Sequence, residues 1–350
     1  MHTPRARFGP AAAVLLLVLT LAPALAAPVT LYVSPQGRDT WSGRLDAPNA
    51  ARSDGPLATI RAARNQVRKL RQSGQSDPVT VTLRGGTYAM AEPLVLEPPD
   101  SGVTYAAYRD ERPVLSGGLA VTGWRPGANG VWEAEAPRDG RGQVIGFNQL
   151  WVNGQRRTLA RTPNYAPPGP ETPLGSTEGY FTVVRKAPPL RDPVTGQETD
   201  RERTAFGYQP GSIKAWPNLD EVHVVLYHSW ETSRHRIAAV DETNQVVTFT
   251  GPACWSIFYF GRPQRYYVEN APDALDALGE WYLDKPAGVV RYIPLPGEDL
   301  TKAEVIVPRL TRLLQMRGEP NAGLWVENVT FRGLSFQYED WVLEPQGHRG

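Results

Sequence analysis

The chain is poor in several residues on which other classes of protein depend. Among its 350 residues there is one cysteine, Cys254, which excludes an internal disulfide framework and any cysteine-rich metal site. Neither sign of charge is in excess, with 37 Lys+Arg against 36 Asp+Glu. The overall electrostatic signature of a nucleic-acid or polyanion binder is therefore missing. Beyond residue 26 no apolar run approaches the ~20 residues needed to span a bilayer. There is no Walker loop, no GxGxxG between a strand and a helix, no HExxH, no EF-hand loop and no GxSxG elbow, so nucleotide, flavin and zinc-protease chemistry has no support. Aromatics are plentiful, at 10 Trp, 14 Tyr and 9 Phe, and 33 Gly with 33 Pro supply turns without reaching low complexity. These features predict a turn-rich, mostly β globular protein, and the length suggests two domains.

Residues 1–26 read as an address. Arg5 and Arg7 give a positive start, Ala11 to Leu21 an apolar stretch, and Ala24-Leu25-Ala26 a small-residue cleavage site. This is the layout of a signal peptide, and the apolar stretch is too short for a membrane anchor. The expectation is a secreted or periplasmic bacterial protein with no membrane span after cleavage.

After this address the pattern changes twice. LATIRAARNQVRKLRQSG, from residue 57, predicts a capping helix over 57–72. Ile60, Ala63, Val67 and Leu70 share its apolar face, and Arg61, Arg64, Arg68, Lys69 and Arg71 form a basic face expected to be solvated. The period then becomes two, in Val79, Val81 and Leu83, and short apolar strands recur at 94–96, 103–105 and 113–115. The tail resumes this texture, but inward parity switches at Arg332-Gly333. A straight strand cannot do that, so the chain must turn a corner there. Val329-Thr330-Phe331-Arg332-Gly333 also echoes Val81-Thr82-Leu83-Arg84-Gly85, as stacked coils would. Between these parts Asn153-Gly154, Glu242-Thr243-Asn244 and Lys285-Pro286-Ala287-Gly288 mark turns of antiparallel sheet, and 163–212 reads as a long charged loop. The expected organisation is signal 1–26, cap and first coils 27–118, inserted antiparallel domain 119–306, and a truncated return to the coils over 307–350.

Six phrases in order carry a resemblance: LYVSPQGRDTWSG, DGPLATIRAAR with LRGGTY, LWVNGQRRTLARTPN, SWETSRHRI, ENAPDALDALGEWYLDKPAGVVRYIP, and VENVTFRGLSFQYEDW. From about Leu31 to Trp341 the chain resembles secreted bacterial right-handed parallel β-helix (pectate-lyase-like) proteins grouped with glycoside hydrolase family 141. The resemblance implies a mainly β fold, in which N-terminal coils with a capping helix are interrupted by a β-sandwich-like insertion. It also implies a polysaccharide or oligosaccharide partner and no cofactor. In such relatives further coils follow the VENVTFRG phrase and are expected to hold the catalytic carboxylates, whereas this chain stops at Gly350.

Glycoside hydrolysis needs two carboxyl groups facing one bond. Glu339-Asp340-Trp341 is the local candidate, with Asp340 and Glu339 as catalytic carboxylates and Trp341 as a sugar-stacking ring. The structural alternative is a polar coil turn with Trp341 packed on the insertion. His228, Trp230, Glu231, Arg234 and His235 form the densest polar group, suited to substrate contact; the alternative is a loop with an ion pair and backbone hydrogen bonds. The spacing of His223, His228 and His235 matches no zinc motif, and alternation places His223 opposite His228, so no metal is expected. Trp255, Phe258, Tyr259, Phe260, Tyr266 and Tyr267 fit either a sugar platform or a core, and Cys254 reads as a small buried hydrophobe. Glu280-Trp281-Tyr282-Leu283-Asp284 should place Trp281 and Leu283 on one face and Glu280 and Tyr282 on the other. Three functions fit: a hydrolase, a non-catalytic carbohydrate-binding or scaffold module, and a polysaccharide lyase.

Overall fold

The computed structural model describes residues 29–165, 167, 176–259 and 264–350. The address in 1–26, and Phe260 with its Gly-Arg-Pro neighbours, lie outside the described residues. The chain is mainly β, in sheets of mixed direction. Among the described residues no helix is long and apolar enough to cross a membrane.

The alternating segments pair as parallel ladders. The longest holds strands Val29–Val33, Val79–Leu83, Val103–Ala107 and Thr330–Arg332, in that spatial order. Its register sets Leu31, Val81, Tyr105 and Phe331 in one row; the first three are fully buried, and Tyr105 stacks on Phe331 with centroids 5.2 Å apart. The intervening Thr80, Thr82 and Thr104 are half-buried on the outer face, as a period of two requires. A second ladder joins Gly86–Ala89, Pro113–Ser116 and Ser335–Gln337, and a third joins Leu94–Leu96 to Leu314–Met316.

The corner at Arg332-Gly333 is present, because the chain leaves the first ladder at Arg332 and enters the second at Ser335. Gly333 sits at φ 71°, and a Cβ there would meet that of Ala107 at 3.0 Å, so conformation and space both favour glycine. The sequence echo is out of step with the ladder, however. Thr330 lies level with Thr80 and Thr104, not Thr82. An offset of two leaves inward residues inward, which is why the echo still located the corner.

Helix Ile60–Gln72 covers one end of these ladders, burying Ile60, Ala63 and Val67 with Leu70 partly buried beside them. It starts later than the expected residue 57. Asp39 accepts from the amides of Ala58 and Thr59 and so fixes them ahead of the helix, while Thr59 Oγ1 caps it by accepting from Ala62 N at 3.1 Å. The basic face is not simply solvated. Arg68 pairs with Asp100, which is fully buried, at 2.6 Å and with Glu97 at 2.9 Å. Arg64 donates to the carbonyl of Val95 in the strand Leu94–Leu96, and Arg71 to the loop carbonyls of Gln75 and Asp77. A buried carboxylate needs such a partner, so this face fastens the Pro98–Asp100 turn to the helix.

Residues 119–306 carry two apolar cores. One gathers Phe206, Leu226 and Tyr266 on an eight-stranded sheet, and the other gathers Leu150, Trp281 and Tyr292. Strand Glu280–Asp284 serves both, with Trp281 and Leu283 in the second core and Tyr282 in the first. The predicted turns join Trp151–Val152 to Gln155–Arg156, Thr232–Asp241 to Val246–Phe249, and Glu280–Asp284 to Val289–Tyr292. The described residues of the charged stretch 163–212 form more than a loop. Among its described residues are five short strands, and the last, Ala205–Gly207, is buried in the eight-stranded sheet.

Candidate functional site at the seam between the ladders and residues 119–306

Glu339-Asp340-Trp341 follows the last strand of the second ladder and bonds to Asn148 and Gln149. Its backbone extends the ladder unit, since Asp340 N donates to Leu310 O at 2.7 Å. Neighbouring side chains of extended backbone point apart. Asp340 is accordingly buried, at 7% exposure, whereas Glu339 is exposed. Asp340 Oδ1 accepts from Asn148 N at 3.3 Å and from Gln149 Nε2 at 3.4 Å. Gln149 Nε2 also donates to Glu339 O, and Asn148 Nδ2 donates to Trp341 O, both at 3.1 Å. Burial pushes the Asp340 carboxyl above the ordinary aspartate value despite these donors.

On its exposed side Glu339 borders a cleft of about 540 Å³ shared with Gln149, Trp151, Phe336, Gln337 and Tyr338. Trp151 meets the Tyr338 ring edge-on, with centroids 5.1 Å apart. Flat rings beside a carboxylate and two amides can take a molecule having both C–H faces and hydroxyl groups. Gln149 and Trp151 were not read from the sequence as site residues. The signal lay in the LWVNG phrase, which shows only its turn until the fold sets it beside Tyr338.

The second polar group is divided by strand geometry. The sequence suggested a loop for residues 230–235, but Thr232–Asp241 is a strand. Ser233 and His235 therefore point inward, while Arg234 points to the other face. Ser233 Oγ, itself buried, lies 2.8 Å from both His228 Nε2 and His235 Nε2. His235 is fully buried and stacks on Phe249 at 4.3 Å. Burial first, then the nearby His228, pushes its pKa down to about 4, and burial lowers that of His228 as well. Both rings are thus neutral at pH 7, and Ser233 Oγ bridges them, its donor and acceptor roles set by the tautomer of each ring.

Arg234 Nη1 is 2.7 Å from Glu269 Oε1, and its guanidinium lies 5.6 Å from the Trp341 ring centroid. Glu269, not foreseen from the sequence, is buried, and His223 Nδ1 lies 3.4 Å from it. Burial alone would raise this carboxyl, but His223 and Arg234 bring it below the ordinary value.

Trp230 stands elsewhere, 66% exposed and edge-on to Trp255, which in turn contacts Tyr259. Tyr266 is core, and Phe258 packs against that core. Glu231 is half-buried beside Gly350. The C-terminal segment runs along this region, exchanging backbone hydrogen bonds of 2.9 and 2.7 Å between Arg234 and His348. Cys254 is exposed rather than buried, because it lies in a surface loop whose amide bonds Arg349 O.

The fold thus brings Glu339, Asp340 and Trp341 to Asn148 and Gln149, and brings Trp341 to Arg234. It does not bring His235 or Trp230 to that place. No family model and no curated protein matches the chain. Among solved structures it is similar to one described as "Glycoside hydrolase", with a TM-score of 0.68 and 26% identity, over 89% of this chain and 51% of that one. Another, "The complex structure of XylC with xylose", has a TM-score of 0.35 and 11% identity over 89% of this chain and 35% of that one, and no argument rests on it. The chain therefore spans about half the length of the glycoside hydrolase to which it is similar.

Proposed function

We propose that this chain belongs to a secreted bacterial carbohydrate-active enzyme of the glycoside hydrolase type. In this reading its three parallel ladders are coils of a right-handed parallel β-helix related to family 141. The observation that carries the reading is the 26% identity to a glycoside hydrolase structure over 89% of the chain. The seam cleft supports it by offering sugar-binding chemistry. Trp151 and Tyr338 present ring surface, Gln149 and Gln337 present amides, and Glu339 is an accessible carboxylate. Asp340, raised by burial, has the direction of shift required of a general acid.

One observation favours a second reading, a carbohydrate-binding module. Glu339 and Asp340 point to opposite sides of one extended segment, whereas hydrolysis needs two carboxyl groups on one bond. Incubating the full chain with plant and algal polysaccharides and aryl glycosides separates these readings. Hydrolysis predicts reducing sugar that disappears in Glu339→Gln and Asp340→Asn while glycan binding persists. Binding without release supports the module, and unsaturated product absorbing in the near ultraviolet would indicate a lyase. Neither binding nor turnover of any glycan overturns the carbohydrate assignment.

A further inference from the structure

Away from the seam, Trp230, Trp255 and Tyr259 form one contiguous aromatic patch, 66%, 45% and 59% exposed respectively. Trp255 meets the ring of Trp230 at 73° with centroids 6.4 Å apart, and that of Tyr259 at 61° and 5.7 Å. A single exposed ring needs no explanation, but a contiguous group of them does. The backbone holds these rings outward. Ala253 and Ile257 are fully buried, with Ala253 N donating to Arg203 O and Ile257 N to Glu202 O, both at 2.8 Å. Pinning those two residues inward leaves Trp255 and Tyr259 on the surface. Trp230 projects from the turn between strands His223–Tyr227 and Thr232–Asp241, which His228 N closes by donating to Glu231 O at 2.9 Å.

Between the rings lies a notch of about 10 Å³, lined also by His228, Ser229, Ser256 and Gln264. It has room for one water-sized group, so a ligand ring must lie across the patch and not within it. The lining carries no formal charge. His228 is kept neutral at pH 7 by burial, with its Nε2 2.8 Å from Ser233 Oγ. Glu202, which accepts from Ser256 Oγ at 2.6 Å, is paired with Lys186, and the Glu231 carboxyl lies beside Gly350. The patch is also small. Three half-exposed side chains, each ~150–250 Å² in full, fall well short of the ~800 Å² per partner of a standard protein interface. An uncharged ligand with C–H faces and hydroxyl groups suits both the rings and the rim.

We propose that this patch is a second, non-catalytic glycan site, which takes a neutral β-linked chain of flat pyranose rings. The C–H faces of the sugars lie on Trp230 and Trp255, and one hydroxyl enters the notch lined by His228, Ser256 and Gln264. Rings with equatorial substituents fit this surface, because axial hydroxyls would strike the indole faces. The proposal rests on the carbohydrate reading of the chain but not on the seam as its place of action.

Calorimetric titration of the full chain with cellohexaose, a neutral chain of equatorially substituted rings, tests it at pH 7. Saturable binding is expected, and added salt should change the affinity by less than about twofold, because no charge takes part. Trp230→Ala and Trp255→Ala should each weaken binding about tenfold. Trp230→Phe should retain most of the affinity, and Trp325→Ala, at an exposed ring outside the patch, should change nothing. The indole N–H signals of Trp230 and Trp255 should shift on binding, which locates the contact. Absence of binding, indifference to both patch alanine variants, or displacement by equimolar tetramethylammonium, the mark of a cation cage, would overturn the proposal. If cellohexaose binds through Trp230 while no oligosaccharide responds to Trp151→Ala, the seam reading fails and this site stands. If some oligosaccharide binds through Trp151 and cellohexaose does not bind through Trp230, this site fails and the seam reading stands.

Discussion

At Glu280 a glutamine substitution should change how stability depends on pH. The side chain is 2% exposed. Its Oε1 accepts from Arg161 N, and its Oε2 from Asp276 N and Ala277 N, each at 3.3 Å. Burial outweighs these donors and pushes the pKa up from 4.5 to about 7. The folded protein therefore holds this proton more tightly than the unfolded chain does. The resulting stabilisation is fully present below the unfolded value and is lost as pH rises through the folded one. With each unit equivalent to 1.36 kcal/mol, the parent should lose about 3 kcal/mol from this group between pH 4.5 and 8.

Glutamine removes the titration but sets two N–H donors and no acceptor where one carboxyl oxygen accepts from a backbone amide. E280Q should therefore be less stable than the parent by about 1–3 kcal/mol at pH 4.5. Between pH 4.5 and pH 8 the difference should shift by about 3 kcal/mol in the variant's favour. Urea unfolding of both proteins at half-unit pH steps measures the difference, and titrations common to both cancel. A difference that stays flat within about 1 kcal/mol across this range would refute the reasoning.

Two further substitutions test the packing. Trp281→Ala removes a fully buried ring from the second core and should cost about 3–5 kcal/mol in urea unfolding; a loss below about 1 kcal/mol would mean that this core collapses around the gap. Arg234→Met leaves Glu269 buried without its closest cation and should destabilise by about 3–5 kcal/mol at pH 7, with Glu269→Gln in the same chain restoring most of it. Failure of the second change to restore stability would show that the loss arises from Arg234 packing on Trp341 instead.

Strand periodicity made much of the fold legible. The alternation in Val79–Leu83 and the parity switch at Arg332-Gly333 specified inward faces and a corner, because side-chain direction in a strand follows from position alone. Asn153-Gly154 and Lys285–Gly288 located hairpins because few residues accept positive φ. The site was less legible. Residues 230–235 looked like one constellation because they are adjacent in sequence, but a strand sends Ser233 and His235 to one face and Arg234 to the other. Pairings such as Arg234 with Glu269, or Asp340 with Asn148, depend on tertiary register, which local pattern does not encode. The basic face of Ile60–Gln72 was misjudged for the same reason, since Asp100 reaches Arg68 only through the fold.

The seam is tested most directly by titrating oligosaccharides of the plant and algal panel into the full chain and into Trp151→Ala, following binding by calorimetry. The account predicts saturable binding of at least one oligosaccharide, weakened about tenfold in the variant, in keeping with the ~0.5–1.5 kcal/mol of an aromatic contact. Absence of binding to every oligosaccharide, or binding that Trp151→Ala leaves unchanged, would contradict it.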